Sequence, residues 1–284
     1  MRMPVSRVFA AILLVAGTAQ TAAAQSRPLA TEDPETVPKG FVLLEGGFDV
    51  LGKTSFPASG LKGDLLRIGT FGVSVGVNSS VELQFDGGLR RRLTIDGFDA
   101  SAPLAGRYTG TGTATGGFDD LFVGVKIRFA PETVSRPAVA LRFATKLPNA
   151  GPGSGLGTST TDFAIGLAAA KTVESVRVAA NLGIAFMTEP SQIATQNKLM
   201  TYGVSVARAV ATGIELVGDV NGRLDTGTDA GPGTESRGAV RLGGRLTRGP
   251  VRLDAGFLIG ITDVDPSWGV TVGFTWVFKA FEVK

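Results

Sequence analysis

The stretch Trp268-Gly269-Val270-Thr271-Val272-Gly273-Phe274-Thr275-Trp276-Val277-Phe278-Lys279 alternates with a period of two. Trp268, Val270, Val272, Phe274, Trp276 and Phe278 share one face. Gly269, Thr271, Gly273, Thr275 and Lys279 share the other, with Val277 as the exception. A pleated strand sends successive side chains to opposite faces, so this strand is apolar on one side and small or polar on the other. Aromatic rings at both ends of the apolar stripe suit a lipid-facing strand, because such rings sit well at the two membrane interfaces. A core strand of a soluble sandwich reads the same way, so the decision rests on whether the pattern repeats.

Working back from that stretch, it does. Val251, Leu253, Phe257, Ile259 and Ile261 lie over Arg252 and Asp254; Val240, Leu242 and Leu246 lie over Arg237, Arg241 and Arg245. Ile214, Leu216 and Val220 back onto Glu215, Asp219, Asn221 and Arg223. The strands carrying Tyr202, Leu182 and Ile165 turn small residues to the other face: Ala164, Gly166, Ala179, Gly183, Gly203 and Ser205 among them. Val139, Leu141 and Phe143 oppose Arg142 and Lys146, and Val123, Val125 and Ile127 oppose Lys126 and Arg128. A cleanly alternating segment sets Val81, Leu83, Phe85, Leu89 and Leu93 outside and Glu82, Gln84, Asp86, Arg90 and Arg92 inside. Phe71, Val73, Val75 and Val77 form the segment before it, and Val42, Leu44, Phe48 and Val50, opposite Leu43, Glu45 and Asp49, form the first.

That makes twelve alternating segments. The connections near Asn78, Pro131, Glu174, Thr212 and Gly249 are short, while those near Lys53, Thr111, Gly155, Gln192, Ala230 and Asp263 are mostly long and rich in Gly, Thr, Asp or Pro. An even strand number with short turns on one side and long loops on the other predicts an all-β, twelve-stranded antiparallel transmembrane β-barrel of the outer-membrane type over residues 40–284. Arg128 or Arg245 would be expensive in a sandwich core, whereas inside a barrel they meet water or one another.

Composition removes other classes. The chain has no Cys and no His among 284 residues, so it lacks thiolate chemistry, the usual general base and the commonest metal ligand. No catalytic, cofactor-binding or metal site is predicted. Beyond the N-terminus there is no apolar run of about eighteen residues, which excludes a helical membrane protein. Residues 1–24 read as a signal peptide: Arg2 and Arg7 precede a short apolar core, and Ala22-Ala23-Ala24 offers a small-residue cleavage site. Residues 25–39, polar and Pro-rich, read as an extended periplasmic leader. Without Arg2 and Arg7, the 28 basic residues fall to 26 against 25 acidic ones, so charge gives no argument for nucleic acid.

Gly47-Phe48-Asp49-Val50-Leu51-Gly52-Lys53-Thr54 matches the G-x-x-x-x-G-K-T phosphate loop. That loop works only where a strand hands over to a helix, and Ser55-Phe56-Pro57-Ala58-Ser59-Gly60 cannot be one. The match is fortuitous. A lipid hydrolase on a twelve-stranded barrel would need an activating base, normally His, and is the least favoured reading.

Three short segments carry a family resemblance: Thr31-Glu32-Asp33-Pro34 with Pro38-Lys39-Gly40; Lys146-Leu147-Pro148 leading into a loop that ends Gly157-Thr158-Ser159-Thr160-Thr161-Asp162-Phe163; and Asn181-Leu182-Gly183. In these the chain resembles outer-membrane transporters grouped as "MetA-pathway of phenol degradation". The resemblance implies an outer-membrane barrel with a transport role for aromatic or other small hydrophobic compounds. It brings no catalytic or binding residues with it. Barrels usually end on an aromatic residue read by the barrel-assembly machinery, whereas here Phe278 and Phe281 precede Glu282-Val283-Lys284.

The inward residues near the C-terminus predict a charge wall in the lumen. Symmetric closure around Ala230 sets Asp219 beside Arg241, Glu215 beside Arg245, and Arg223 against Arg237. A four-residue turn at Thr247–Pro250 sets Arg252 beside Arg245, with Asp254 diagonal to Arg241 and Arg245. Arginine is in excess on this wall, which would favour anions or small carboxylates. On the outside, Arg67 and Arg91 have lipid-facing parity, and a turn pairing Val77 with Val81 brings them face to face at the upper edge of the apolar band, where either a lipopolysaccharide phosphate separates them or the two side chains simply snorkel to the interface. The sequence thus predicts a monomeric bacterial outer-membrane channel or transporter for a small solute, surrounded by lipid and lipopolysaccharide, with no nucleic-acid partner. The alternative is a structural or adhesive barrel with a closed lumen.

Overall fold

The period-two pattern becomes a continuous antiparallel ladder. The computed structural model describes residues 27–190, 196–227 and 231–282. The expected signal segment 1–24, the first two leader residues, the loop around Gln192, the Ala230 tip and the last two residues lie outside them. The strands are β1 (Phe41–Phe56), β2 (Leu61–Gly76), β3 (Val81–Phe98), β4 (Ala114–Gly117), β5 (Leu121–Ala130), β6 (Ala138–Leu147), β7 (Asp162–Val173), β8 (Val176–Thr188), β9 (Gln196–Ala211), β10 (Ile214–Asp225), β11 (Arg237–Arg248), β12 (Val251–Gly260) and β13 (Trp268–Lys279). Apart from β4 each pairs with its neighbours along the chain, β3 pairing with β5, and β1 also pairs with β13, which closes the sheet. The four-residue β4 only lines the edge of β3 at Arg91–Thr94. The wall is therefore a closed twelve-stranded transmembrane barrel.

Tight turns gather at one end, as at Val77, whose N–H bonds Val81 O at 2.9 Å. The long connections 99–120, 148–161 and 261–267 gather at the other, which is the outer end in this class of barrel. The hydrogen-bonded rows climb outward in chain direction. The row that starts at Val42, near the inner end of β1, passes through Val75, Leu83, Val125, Phe143, Ile165, Ile184 and Met200 and reaches Leu224, near the outer end of β10.

The phosphate-loop look-alike lies inside β1, which runs on through Lys53 (φ 53°) to Phe56 with no helix after it. The outer ends of β1 to β3 form an inward apolar cluster of Leu61, Leu65, Leu93 and Leu156, packed by Leu51, Phe56, Ile95 and Tyr108.

That cluster exposes the main error of the parity reading. Leu93 was expected outside and is fully buried, whereas Arg90 and Arg92 were expected inside and are exposed. The cause is one residue out of step in each of two strands. The β1–β2 register slips between Thr70 and Ile68, skipping Gly69, which sits at φ 65°. Gly69 and Leu89 fall together between the pairs Thr70↔Gly88 and Ile68↔Arg90. A residue inserted into the alternation exchanges the two faces beyond it.

Candidate functional site: a lumen crossed by the N-terminal segment

Residues 27–38 do not lie outside the barrel as a leader. They run through its interior, hydrogen-bonded to inward side chains on most of the wall. The segment passes the inner rim at Val37 and Pro38. There Val37 packs with Leu43 against Phe41 and Val277, which explains the two apolar exceptions on the inward faces of β1 and β13. Its N–H donates to Glu82 Oε2 at 2.7 Å.

Further in, acidic side chains of the segment meet basic ones of the wall. Glu35 pairs with Arg128. Asp33 takes both forks of Arg177, at 2.6 and 2.8 Å. Glu32 accepts from Lys126 Nζ at 2.9 Å and from Gln84 Nε2 at 2.8 Å. Lys126 also reaches Glu82 at 3.3 Å, and both of those side chains are 0% exposed. Burial pushes the Glu32 carboxyl up, but Lys126 and then Arg142 outweigh it and bring it from 4.5 down to about 2. The backbone of Glu32 is clamped by Asn181, which accepts from its N–H and donates to its carbonyl.

The far end of the segment rests on the predicted charge wall. Asp219 Oδ2 accepts from the N–H groups of Ala30 and Thr31 and from Thr31 Oγ1, at 2.8, 2.9 and 3.1 Å. Arg245 donates to Arg27 O at 2.8 Å. Arg27 itself lies 3.5 Å from Asp254 and donates to Thr70 and Thr271. The structure thus brings the wall together, though much of it holds the segment.

The registers Glu215↔Arg245, Asp219↔Arg241 and Arg223↔Arg237 are as expected. Both ion pairs of this hairpin are 3.7 Å long. The next hairpin differs: its loop is only Gly249-Pro250, joining Arg248↔Val251, so Arg245 faces Asp254 and Arg252 faces Thr247. The tight turn, with Gly249 at φ 59°, displaces the register by two residues from the expected one.

Arg67 and Arg91 do pair across β2 and β3, but on the inner side. Arg67 binds Asp119 at 2.6 Å and Asp49 at 3.0 Å, and Arg91 lies 3.3 Å from Asp119. The expected lipid contact for these two is corrected: the Gly69–Leu89 irregularity turns them inward, and a carboxylate separates them.

Outward of the segment lies a cavity of about 600 Å³. Five arginines line it (Arg27, Arg67, Arg223, Arg237 and Arg241) against two carboxylates, Asp49 and Asp265. Arg223 donates to the carbonyls of Glu235 and Gly233 and contacts Met187 Sδ, and Arg237 donates to the carbonyls of Val264 and Ser55. Among the described residues neither has an ion-pair partner. Two directly opposed guanidinium groups without such a partner make the cavity receptive to anions.

The sequence model of the family described as "Putative MetA-pathway of phenol degradation" matches residues 25–278. No curated protein matches the chain. Among solved structures, an outer-membrane channel from Pseudomonas putida F1 superposes with a TM-score of 0.62 at 13% identity, over 88% of this chain and 100% of that one. The NanC porin superposes with a TM-score of 0.51 at 7% identity, over 83% of this chain and 98% of that one. At such identities the likeness shows the barrel fold.

Proposed function

The chain belongs to the MetA-pathway family, and from that premise we propose that it is a gated channel of the bacterial outer membrane for small carboxylated solutes. The observation that carries this reading is the segment 27–38, bonded across the lumen from Glu82 on β3 to Asp254 on β12. A stopper held by separate polar contacts can be displaced; a lumen packed with wall side chains cannot. The family description points to aromatic compounds, and the basic outer cavity adds the carboxylate. The reading includes export by the N-terminal signal, insertion by the barrel-assembly machinery, function as a monomer and no enzymatic activity.

The same contacts favour a second reading, a structural barrel that stays closed. Conductance separates the two. Removing residues 27–36 from the exported chain should raise single-channel conductance in a planar bilayer roughly tenfold, as a constriction is withdrawn. Benzoate added to the outer side should block that current. If conductance does not change, the segment does not gate, and the closed-barrel reading stands. If conductance rises but benzoate has no effect, the carboxylate assignment fails alone.

A further inference from the structure

The irregularity that turns Arg67 and Arg91 inward turns their neighbours outward. Arg90 stands opposite Ile68 and Arg92 opposite Leu66. Both arginines are exposed, and neither side chain makes a hydrogen bond or ion pair with a described residue. Register fixes their level. Arg92 shares a row with Leu66, Val50 and Val270, and Val270 lies two residues inward of Trp268, the aromatic at the outer end of β13. Rows climb outward from β13 through β1 and β2 to β3. Three steps of about 4.8 Å at a tilt of about 40–45° gain roughly 9–10 Å, and the two residues give back about 5 Å. Arg92 therefore stands roughly 4–5 Å beyond Trp268 and Arg90 about level with it, in the headgroup layer of the outer leaflet.

Next to them the wall opens. β3 pairs with β5 only from Val81 to Asp86, and with β4 only from Arg91 to Thr94. Between those stretches Gly87–Arg90 lacks a strand partner on that side, and only the Asp119 N–H reaches Gly88 O. A cleft of about 320 Å³ occupies the gap, walled by Phe71, Leu89, Phe118 and Leu121. Leu89 is 61% and Phe118 68% exposed, so the cleft faces lipid. Its inner side is closed by Arg67, Asp119 and Arg91.

We propose that the cleft and the two arginines form a site for one phosphorylated lipid of the lipopolysaccharide class. An acyl chain lies along Phe71, Leu89 and Phe118, and a phosphate sits between Arg90 and Arg92. Apolar walls at acyl depth accept the chain. Two guanidinium groups in the headgroup layer, neither of them ion-paired to a described residue, match phosphate oxygens in fork geometry. The site does not depend on what passes through the lumen.

The test is retention. Full-length barrel purified from outer membranes in mild detergent should carry lipid A detectable by mass spectrometry. Arg90→Ser with Arg92→Ser should carry about tenfold less, while Arg90→Lys with Arg92→Lys keeps a substantial part. Leu89→Ser with Phe118→Ser should also lower retention although both arginines remain. Unchanged retention in the Arg-to-Ser pair overturns the site. A second arm titrates delipidated wild type with lipid A, with dephosphorylated lipid A and with phosphatidylglycerol. The unfolding temperature should rise with the first alone. An equal rise with phosphatidylglycerol, or none with lipid A, overturns the assignment even if the variants fail to assemble.

Discussion

In the inner half of the lumen charges meet opposite charges: Glu32 and Glu82 converge on Lys126, Asp33 takes Arg177, and Glu35 takes Arg128. The outer half places Arg223 directly against Arg237 and lines the cavity around them with further arginines. The strands are the same, and the inward residues follow from the same alternation. The difference lies in what each half is built to hold. Matched charges around a polypeptide make a seal, because Lys126, Arg177 and Arg128 each find a carboxylate of the segment. Unmatched charges of one sign around a cavity need their partner from outside, which is what the proposed receiving site would use.

The largest expected effect comes from breaking the match. Lys126→Met leaves Glu32 and Glu82 facing each other with no cation between them, and removing one partner of a buried pair costs about 3–5 kcal/mol. Bilayer recordings should then show more frequent openings than those of the unaltered chain, and Thr31→Cys in the same background should gain access to small thiol reagents. A silent, inaccessible variant would mean that the seal does not depend on this centre. An intermediate effect is expected from the receiving half. Arg223→Gln with Arg237→Gln leaves the described contacts between the segment and the wall intact, so opening should be unchanged while anion-over-cation permeability falls roughly threefold. A changed opening frequency would join the two halves into one device. The smallest effect concerns pH. Glu32 has its folded carboxyl depressed, so its contribution to the seal is complete above about 4.5 and is lost as pH falls toward about 2. Conductance should thus stay flat from pH 8 to about 5 and rise only in stronger acid; opening near neutrality would place the controlling group elsewhere.

Much of this was legible in the sequence, and the reasons differ by region. Strands β7 to β9 keep their alternation through their central stretches, so parity alone assigned Ala164, Gly183 and Gly203 inward and Ile165, Leu182 and Val204 outward. The β10–β11 register was legible because its loop closes symmetrically, giving Asp219↔Arg241 from counting. The β11–β12 register was not, because turns at Thr247–Pro250 and at Arg248–Val251 differ by two residues and leave every face unchanged. Gly69 could not be singled out among 40 glycines, yet its positive φ reverses all that lies beyond it in β2. The segment was misplaced because a polar, Pro-rich stretch reads as solvated. Two signals pointed inward all the same. Leu43 and Val277 are apolar on an otherwise wet face and needed a partner, which is Val37. Glu32, Asp33 and Glu35 also mirror the inward cations Lys126, Arg128 and Arg177.

The segment enters through the inner rim, and between Arg27 and Pro38 it carries one arginine against three carboxylates. It is a charged body tethered at one face of the membrane. Any voltage across the barrel does work on it, about 2.3 kcal/mol per elementary charge for each 100 mV crossed. A net of two negative charges moving through the whole field would thus exchange roughly 4–5 kcal/mol per 100 mV, comparable with the hold of the Lys126 centre. Because the tether permits exit in one direction, one polarity draws the stopper out and the other seats it. If the segment gates as proposed, such a barrel should conduct as a rectifier.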